Sequence, residues 1–173
     1  MLNIAMMISN GADTNKYRDI AKRAALSVAH MFTYELERLV AFSEWDYRMD
    51  VPRVVPSGTT AARSLSMVER SECILAIFGP SVPTLTSAEI TKVFERREVG
   101  EQVDFWLFLN PDQAKASHDA FLEGIKLRFG EEILWSPYRD ELEFQSLAMT
   151  TLFSYVSRKL LFNPVVGVRS AES

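Results

Sequence analysis

The sequence predicts a three-layer α/β/α sandwich built on a five-stranded parallel sheet, and three observations carry that expectation. Short apolar runs alternate five times with longer segments of helical period, the pattern of parallel strands joined by crossover helices. Two of the runs, residues 72–78 and 103–109, are nearly all apolar, as strands covered on both faces must be. A length of 173 residues, 47% apolar and 24% charged, suits one globular domain with a full core.

Strands are expected at residues 2–8, 39–45, 72–78, 103–109 and, shorter, 132–135. Between the first two, residues 15–37 carry Tyr17, Ile20, Ala24 and Val28 at helical spacing. Residues 57–70 do the same with Ala61, Leu65 and Val68. Residues 88–98 place Ile90, Val93 and Phe94 on one face and end at Gly100, a natural left-handed terminator. Asn110 precedes Pro111 as a cap precedes a first-turn proline, and His118, Phe121, Leu122, Ile125 and Phe129 then form one stripe. A closing helix runs through Phe144, Leu147, Ala148, Leu152, Tyr155, Val156 and Leu160. Residues 1–163 thus make one domain, and 164–173, small and polar, a flexible tail.

The strand order expected is the flavodoxin-like 2-1-3-4-5 with right-handed crossovers. In that order the sheet reverses between strands 1 and 3, and ligands bind there, outside the carboxyl ends of the strands. The loops leaving those strands are Ser9-Asn-Gly-Ala-Asp-Thr14 and Gly79-Pro-Ser-Val-Pro-Thr-Leu-Thr86. They should face each other across the crevice.

Nineteen basic and twenty-three acidic residues give a net charge of -4, so nothing draws the chain generally to nucleic acid or anionic membrane. The pairs Arg96-Arg97 and Arg18, Lys22, Arg23 read as solvated helix faces. Cys73, the one cysteine, lies in an apolar run and reads as a small buried hydrophobe, which fits a reducing compartment. No apolar run approaches the roughly 20 residues of a membrane span, and the start lacks the basic region of a secretory signal, so a cytoplasmic protein is expected. Two distant histidines, His30 and His118, give no metal-ligand spacing, and phosphate-binding, dinucleotide and nucleophile-elbow glycine motifs are absent. His118, on an apolar stripe, reads as a core or boundary histidine.

Glu89 is the candidate that matters most. It stands in the helix after strand 3, at the crevice, where a carboxylate can hold a ribose hydroxyl, stabilise an oxocarbenium-like transition state or attack an anomeric carbon. It also follows Thr86 at the Thr-x-x-Glu spacing of a capping box. The two readings predict opposite geometries: a carboxylate facing Ser9, or one folded back on Thr86. Ser9 and Asn10, at the tip of strand 1, are candidate ligand contacts. The same loop could cradle a flavin phosphate, but Asp13 would repel one and the loop has a single glycine, so a helix cap at Asp13 or Thr14 is the favoured role. Trp45 and Asp46 end strand 2, where an indole can stack on a base or cover the sheet edge and a carboxylate can bind hydroxyls. The charged, proline-containing residues 46–60 follow at that same edge.

The succession of Ile8-Ser9 at a strand tip, Tyr17-Arg-Asp19 opening a helix, Arg70-Ser-Glu-Cys-Ile-Leu-Ala-Ile-Phe-Gly79 and Ser87-Ala-Glu-Ile90 resembles the TIR-like domains. The likeness is to the group fused to bacterial NTPases and repeat proteins, with the nucleoside 2-deoxyribosyltransferases as relatives, and covers about residues 2–110. It implies that Glu89 cleaves or transfers at an N-glycosidic bond of NAD or a nucleotide, with Ser87 beside it and Ser9, Asn10 and Gly79 lining the pocket. NAD or a nucleotide would be substrate, with no separate cofactor, and the chain a bacterial defence or signalling effector working as a homo-oligomer or with a sensor partner. The chain departs from the family in having Glu72-Cys73 where an Asp-aliphatic pair usually opens strand 3. It also has Thr84-Leu85 where TIR enzymes often carry Trp-Cys. Many TIR domains are adaptors, so a non-catalytic interaction module is the alternative, and a nucleoside deoxyribosyltransferase a further one.

Overall fold

The structure, a computed structural model, describes residues 1–37, 39–45, 57–113, 115–130 and 133–162. Five parallel strands, β1 (Leu2–Asn10), β2 (Val40–Trp45), β3 (Cys73–Phe78), β4 (Asp104–Leu109) and β5 (Trp135–Pro137), lie in the order β2-β1-β3-β4-β5. The helices are α1 (Asn15–Tyr34), α2 (Ser57–Arg70), α3 (Thr84–Glu98), α4 (Ala116–Phe129) and α5 (Glu141–Phe162). This is the flavodoxin-like α/β arrangement. The expected strand order and the crevice position follow from it.

Every residue of β3 is completely buried, and alternate side chains enter opposite layers. Cys73, Leu75 and Ile77 join Ile4, Met6 and Ile8 of β1 against α1 and α5, in a cluster that includes Val28, Phe32, Phe144, Leu152 and Val156. Ile74, with Met7, meets Val68 of α2 and Val93 of α3. Ala76 and Phe78 meet Ile90 and Phe94 of α3 and Ile125 of α4. A strand with period-two alternation and two apolar faces can be satisfied only between two helical layers. Tyr17 of α1 closes one end of the first layer, its ring 4.7 Å from Tyr138 and 5.2 Å from Phe144.

Several boundaries differ from expectation for local reasons. α1 stops at Tyr34, three residues early, and the chain leaves it through Glu37 in the left-handed region at φ 53°. α3 begins four residues early, because Pro83, extended at φ -65° and ψ 143°, serves as its N-cap and accepts from the Ser87 amide at 2.9 Å. Pro111 opens a short 3-10 turn, Pro111–Gln113, and not α4 itself. Asn110 Oδ1 still caps that turn, accepting from the Asp112 amide at 3.0 Å. β5 lies at Trp135–Pro137 because Ile133 packs into the core beneath α3 and α4 and does not pair with β4. The expected tail, 164–173, lies outside the described residues. Among the described residues no helix is long and apolar enough to cross a membrane.

Three of the arginines expected on solvated faces, Arg18, Arg96 and Arg97, are structural, while Arg23 is exposed as expected. Arg96 Nη1 donates to the Val68 and Ser71 carbonyls, at 2.5 and 2.8 Å, and its Nε to Glu101 at 2.7 Å. It thereby caps the C-terminal end of α2, where unpaired carbonyls carry partial negative charge. Arg97 donates to the Val103 carbonyl from both Nε (3.1 Å) and Nη2 (2.8 Å), and Arg18 is buried in α1. α3 itself ends in a Schellman motif: the Gly100 amide donates to Arg97 and the Glu101 amide to Arg96, with Gly100 at φ 86°. A Cβ at Gly100 would meet nothing within 4 Å, so only backbone strain opposes a side chain there. Gly100→Ala should therefore lower stability by about 1 kcal/mol, read as a shift in the urea midpoint with an unchanged slope; no shift would contradict the left-handed terminus.

Candidate functional site

Glu89 settles in the second turn of α3, not at its cap. With Pro83 as the N-cap, Thr86 is the third helical residue, and the capping box that the Thr-x-x-Glu spacing suggested is not formed. The carboxylate turns inward instead. One oxygen, Oε2, accepts from the Ser9 hydroxyl at the end of β1, and the other, Oε1, accepts from the Ser64 hydroxyl of α2. Glu89 is 4% exposed, Ser9 1% and Ser64 0%. Strand alternation explains the meeting: Ser9 shares a face of β1 with Met7, which packs against α2 and α3.

Burying an ion away from water favours the proton, so burial pushes the Glu89 carboxyl above its ordinary value of 4.5, while hydrogen bonds from Ser64 and Ser9 oppose that rise. A carboxyl shifted mainly by desolvation, at the end of the strands where a parallel sheet binds ligands, is a functional-site candidate on physical grounds.

The two crevice loops meet as expected. A Cβ on Gly79 would fall 2.5 Å from Asp13 Oδ2 and 2.8 Å from Thr14 Cγ2, and one on Gly11 would fall 2.7 Å from the Pro83 ring. A side chain at either glycine would force Asp13, Thr14 or Pro83 to shift. Thr14 is the N-cap of α1 by position, yet its hydroxyl donates back to the Gly11 carbonyl (3.0 Å) and caps no helical amide. The Asn10 amide donates to the Gly11 carbonyl (2.7 Å) and to Asn15 (3.2 Å), which braces the same loop.

The end of β3 is tied down by side chains. His118 Nδ1 accepts from the Lys115 amide at 3.0 Å, so the ring proton sits on Nε2, which donates to the Gly79 carbonyl at 3.0 Å. Tyr138 donates to the Phe78 carbonyl at 3.2 Å. His118 is thus a fully buried structural histidine.

Of the residues singled out from sequence, Glu89 and Ser9 are in direct contact, Asn10 ends β1, and Gly79 follows β3 directly. Ser87 is on α3, and its carbonyl accepts from the Thr91 hydroxyl; the carboxylate's two hydroxyl partners are Ser9 and Ser64. Trp45 closes β2, its backbone paired in register with Met7. Asp46 and residues 47–56 lie outside the described residues. Ser64 was missed from sequence, although a signal existed: it sits four residues before Val68, on the face of α2 that enters the core. A hydroxyl on such a face needs a buried partner.

The fold and site together define a flavodoxin-like α/β domain with a buried serine-glutamate-serine cluster at its switch point. No protein-family profile matches the chain, and no curated protein matches it in sequence. Among solved structures it is similar to the metal-soaked Flv1 flavodiiron core from Synechocystis sp. PCC6803, at 11% identity and a TM-score of 0.49 over 91% of this chain. That overlap is 36% of the flavodiiron chain. It is also similar to oxidised Flavodoxin 1 from Bacillus cereus, at 14% identity and a TM-score of 0.44, over 88% of this chain and 96% of that one.

A buried acid with a raised proton affinity has a definite effect on stability. The folded state binds the Glu89 proton more tightly than the unfolded chain, so this contribution is fully present below the ordinary carboxyl value and is lost as pH rises through the raised folded value. Glu89→Gln removes that loss. The variant's urea midpoint should gain on the native protein's as pH rises above the ordinary carboxyl value; a difference that stays constant over that rise would count against a raised Glu89.

Proposed function

We propose that this chain is a TIR-like nucleotide-binding domain that cleaves the N-glycosidic bond of NAD or a related nucleotide, as a defence or signalling effector. The observation that carries the reading is the Glu89 carboxylate turned toward Ser9 at the switch point, the geometry expected of a site residue and not of a cap.

The chemistry asked of the chain is modest. As the bond between the ribose anomeric carbon and the nicotinamide nitrogen breaks, its electron pair leaves with nicotinamide, which departs neutral, and positive charge spreads over the sugar carbon and ring oxygen. A fixed carboxylate in a water-poor crevice stabilises that charge more than solvent does. Water then adds to the anomeric carbon and releases a proton to solvent. Asn10 and the backbone around Gly11 and Gly79 would line the nucleotide. If a nucleoside base takes the place of water, the same carboxylate serves deoxyribosyl transfer.

A second reading, a non-catalytic module that pairs with like domains or a sensor, is favoured by one feature. Leu26 and Tyr34 of α1 are 69% and 70% exposed and lie on one helix face with His30, whose ring is 4.2 Å from that of Tyr34. Leu26, Ser27, His30, Met31 and Glu35 line a shallow hollow there.

Nicotinamide release from NAD, measured at low and at high protein concentration, separates the two. The enzymatic reading expects release that Glu89→Gln lowers by on the order of 10²–10³ in a folded variant. Equal release by native protein and variant would sink it. The module reading expects no release and a self-association that Leu26→Glu abolishes.

A further inference from the structure

We propose that Ser64 is the positioning residue of the Glu89 carboxylate, pinning Oε1 from α2 so that Oε2, the oxygen held by Ser9 at the strand tip, is the one presented to the sugar. The inference rests on the glycosidic reading of Glu89 and adds to it a residue, a division of labour between the two oxygens and an order of events.

The two hydroxyls are not equivalent. Ser9 is the penultimate residue of β1, at the carboxyl end of the strand. Ser64 lies in the middle of α2, fully buried, on the flank of the sheet. Ligands of parallel sheets bind outside the carboxyl ends of the strands, which is the end of β1 that carries Ser9. Both carboxylate oxygens are engaged by hydroxyls, so a sugar can meet Oε2 only as the Ser9 hydroxyl swings aside or turns to the ligand. One tether must persist while that exchange occurs, or the acid would be free to rotate away or to take up a proton. Ser64 supplies it, because α2 is itself locked to α3. Arg96 of α3 holds the Val68 and Ser71 carbonyls, and Lys92 of α3 pairs with Glu69 of α2 at 3.2 Å. The helix that carries Glu89 and the helix that carries its tether are thus one unit.

The hydrogen bond from Ser64 favours the ionised carboxylate, the form that can face a developing cation. Its loss should therefore act on charge and orientation and leave binding of the nucleotide unchanged. The test compares native protein with Ser64→Ala, Ser64→Thr and Ser9→Ala. The first readout is the pH titration of the Glu89 carboxyl by carbon NMR, its signal identified by its absence in Glu89→Gln. The second is the steady-state kinetics of nicotinamide release from NAD. Ser64→Ala is expected to move the Glu89 titration to higher pH and to lower kcat by about tenfold or more with KM unchanged, a charge-assisted hydrogen bond having been removed. Ser64→Thr, which keeps the hydroxyl, should return both toward the native values. Ser9→Ala should change KM. An unmoved Glu89 titration in Ser64→Ala would overturn the proposal, as would a kcat loss that Ser64→Thr reproduces in full. Should Ser64→Ala not fold, Ser64→Cys, near in volume and a weaker donor, must show the same upward direction of titration or the proposal fails. If native protein releases no nicotinamide while the titration still responds to Ser64, the glycosidic reading falls and the tether stands.

Discussion

A strand with no exposed side chain on either face is the constraint on which this molecule rests. β3 has to be covered twice, so α1 and α5 are committed to one side and α2, α3 and α4 to the other. Because β1 and β4 flank it in parallel register, the loops leaving β1 and β3 emerge side by side and close on each other through Gly11 and Gly79. The crevice is therefore a product of core packing, not of the loops themselves. Burial of this kind, at about 25 cal/mol per Å² of apolar surface, holds a polar cluster in place that would not stand alone.

That cluster opposes the core that holds it. A carboxylate taken from water loses hydration that two hydroxyls replace only in part, and burial accordingly dominates the proton affinity of Glu89. Proteins keep such groups where position or charge is useful, and the site lies where the topology sends ligands. The neighbouring polar contacts are of a different sort. His118, Tyr138 and Asn10 satisfy backbone carbonyls at the ends of strands and turns, and they fix the walls of the crevice.

Most of the fold was legible from periodicity. The bounds of α2 match the expected 57–70, and β3 and β4 each fall within one residue of expectation, because long apolar runs and a strong helical period leave little choice. β5 was misplaced because a short run is ambiguous: Ile133 serves the core as readily as a strand. The Thr-x-x-Glu spacing misled as a cap signal because helix α3 starts at the proline upstream, where tertiary packing and fixed backbone geometry override a local motif. Arg96 and Arg97 read as solvated because their targets, carbonyls at the end of another helix and before β4, are not visible in a one-dimensional pattern. Ser64 is the instructive omission. A lone serine on an apolar helix face looks unremarkable until a buried partner is sought for it, and the partner is 25 residues away in sequence.

The arginine that caps α2 has a mechanical consequence. Through Arg96 and the Lys92–Glu69 pair, α2 and α3 form a two-helix plate that lies on the sheet mainly through apolar contacts, which resist separation but have no preferred direction of sliding. Arg97 ties its C-terminal end to the Val103 carbonyl ahead of β4. Glu89 and Ser64 ride on the plate, and Ser9 belongs to the sheet. A small translation of the plate would stretch a single contact of the three-residue cluster, the one between Ser9 and Oε2, and leave the other intact. The molecule thus has a natural parting line, and it runs between the strand tip and the carboxylate.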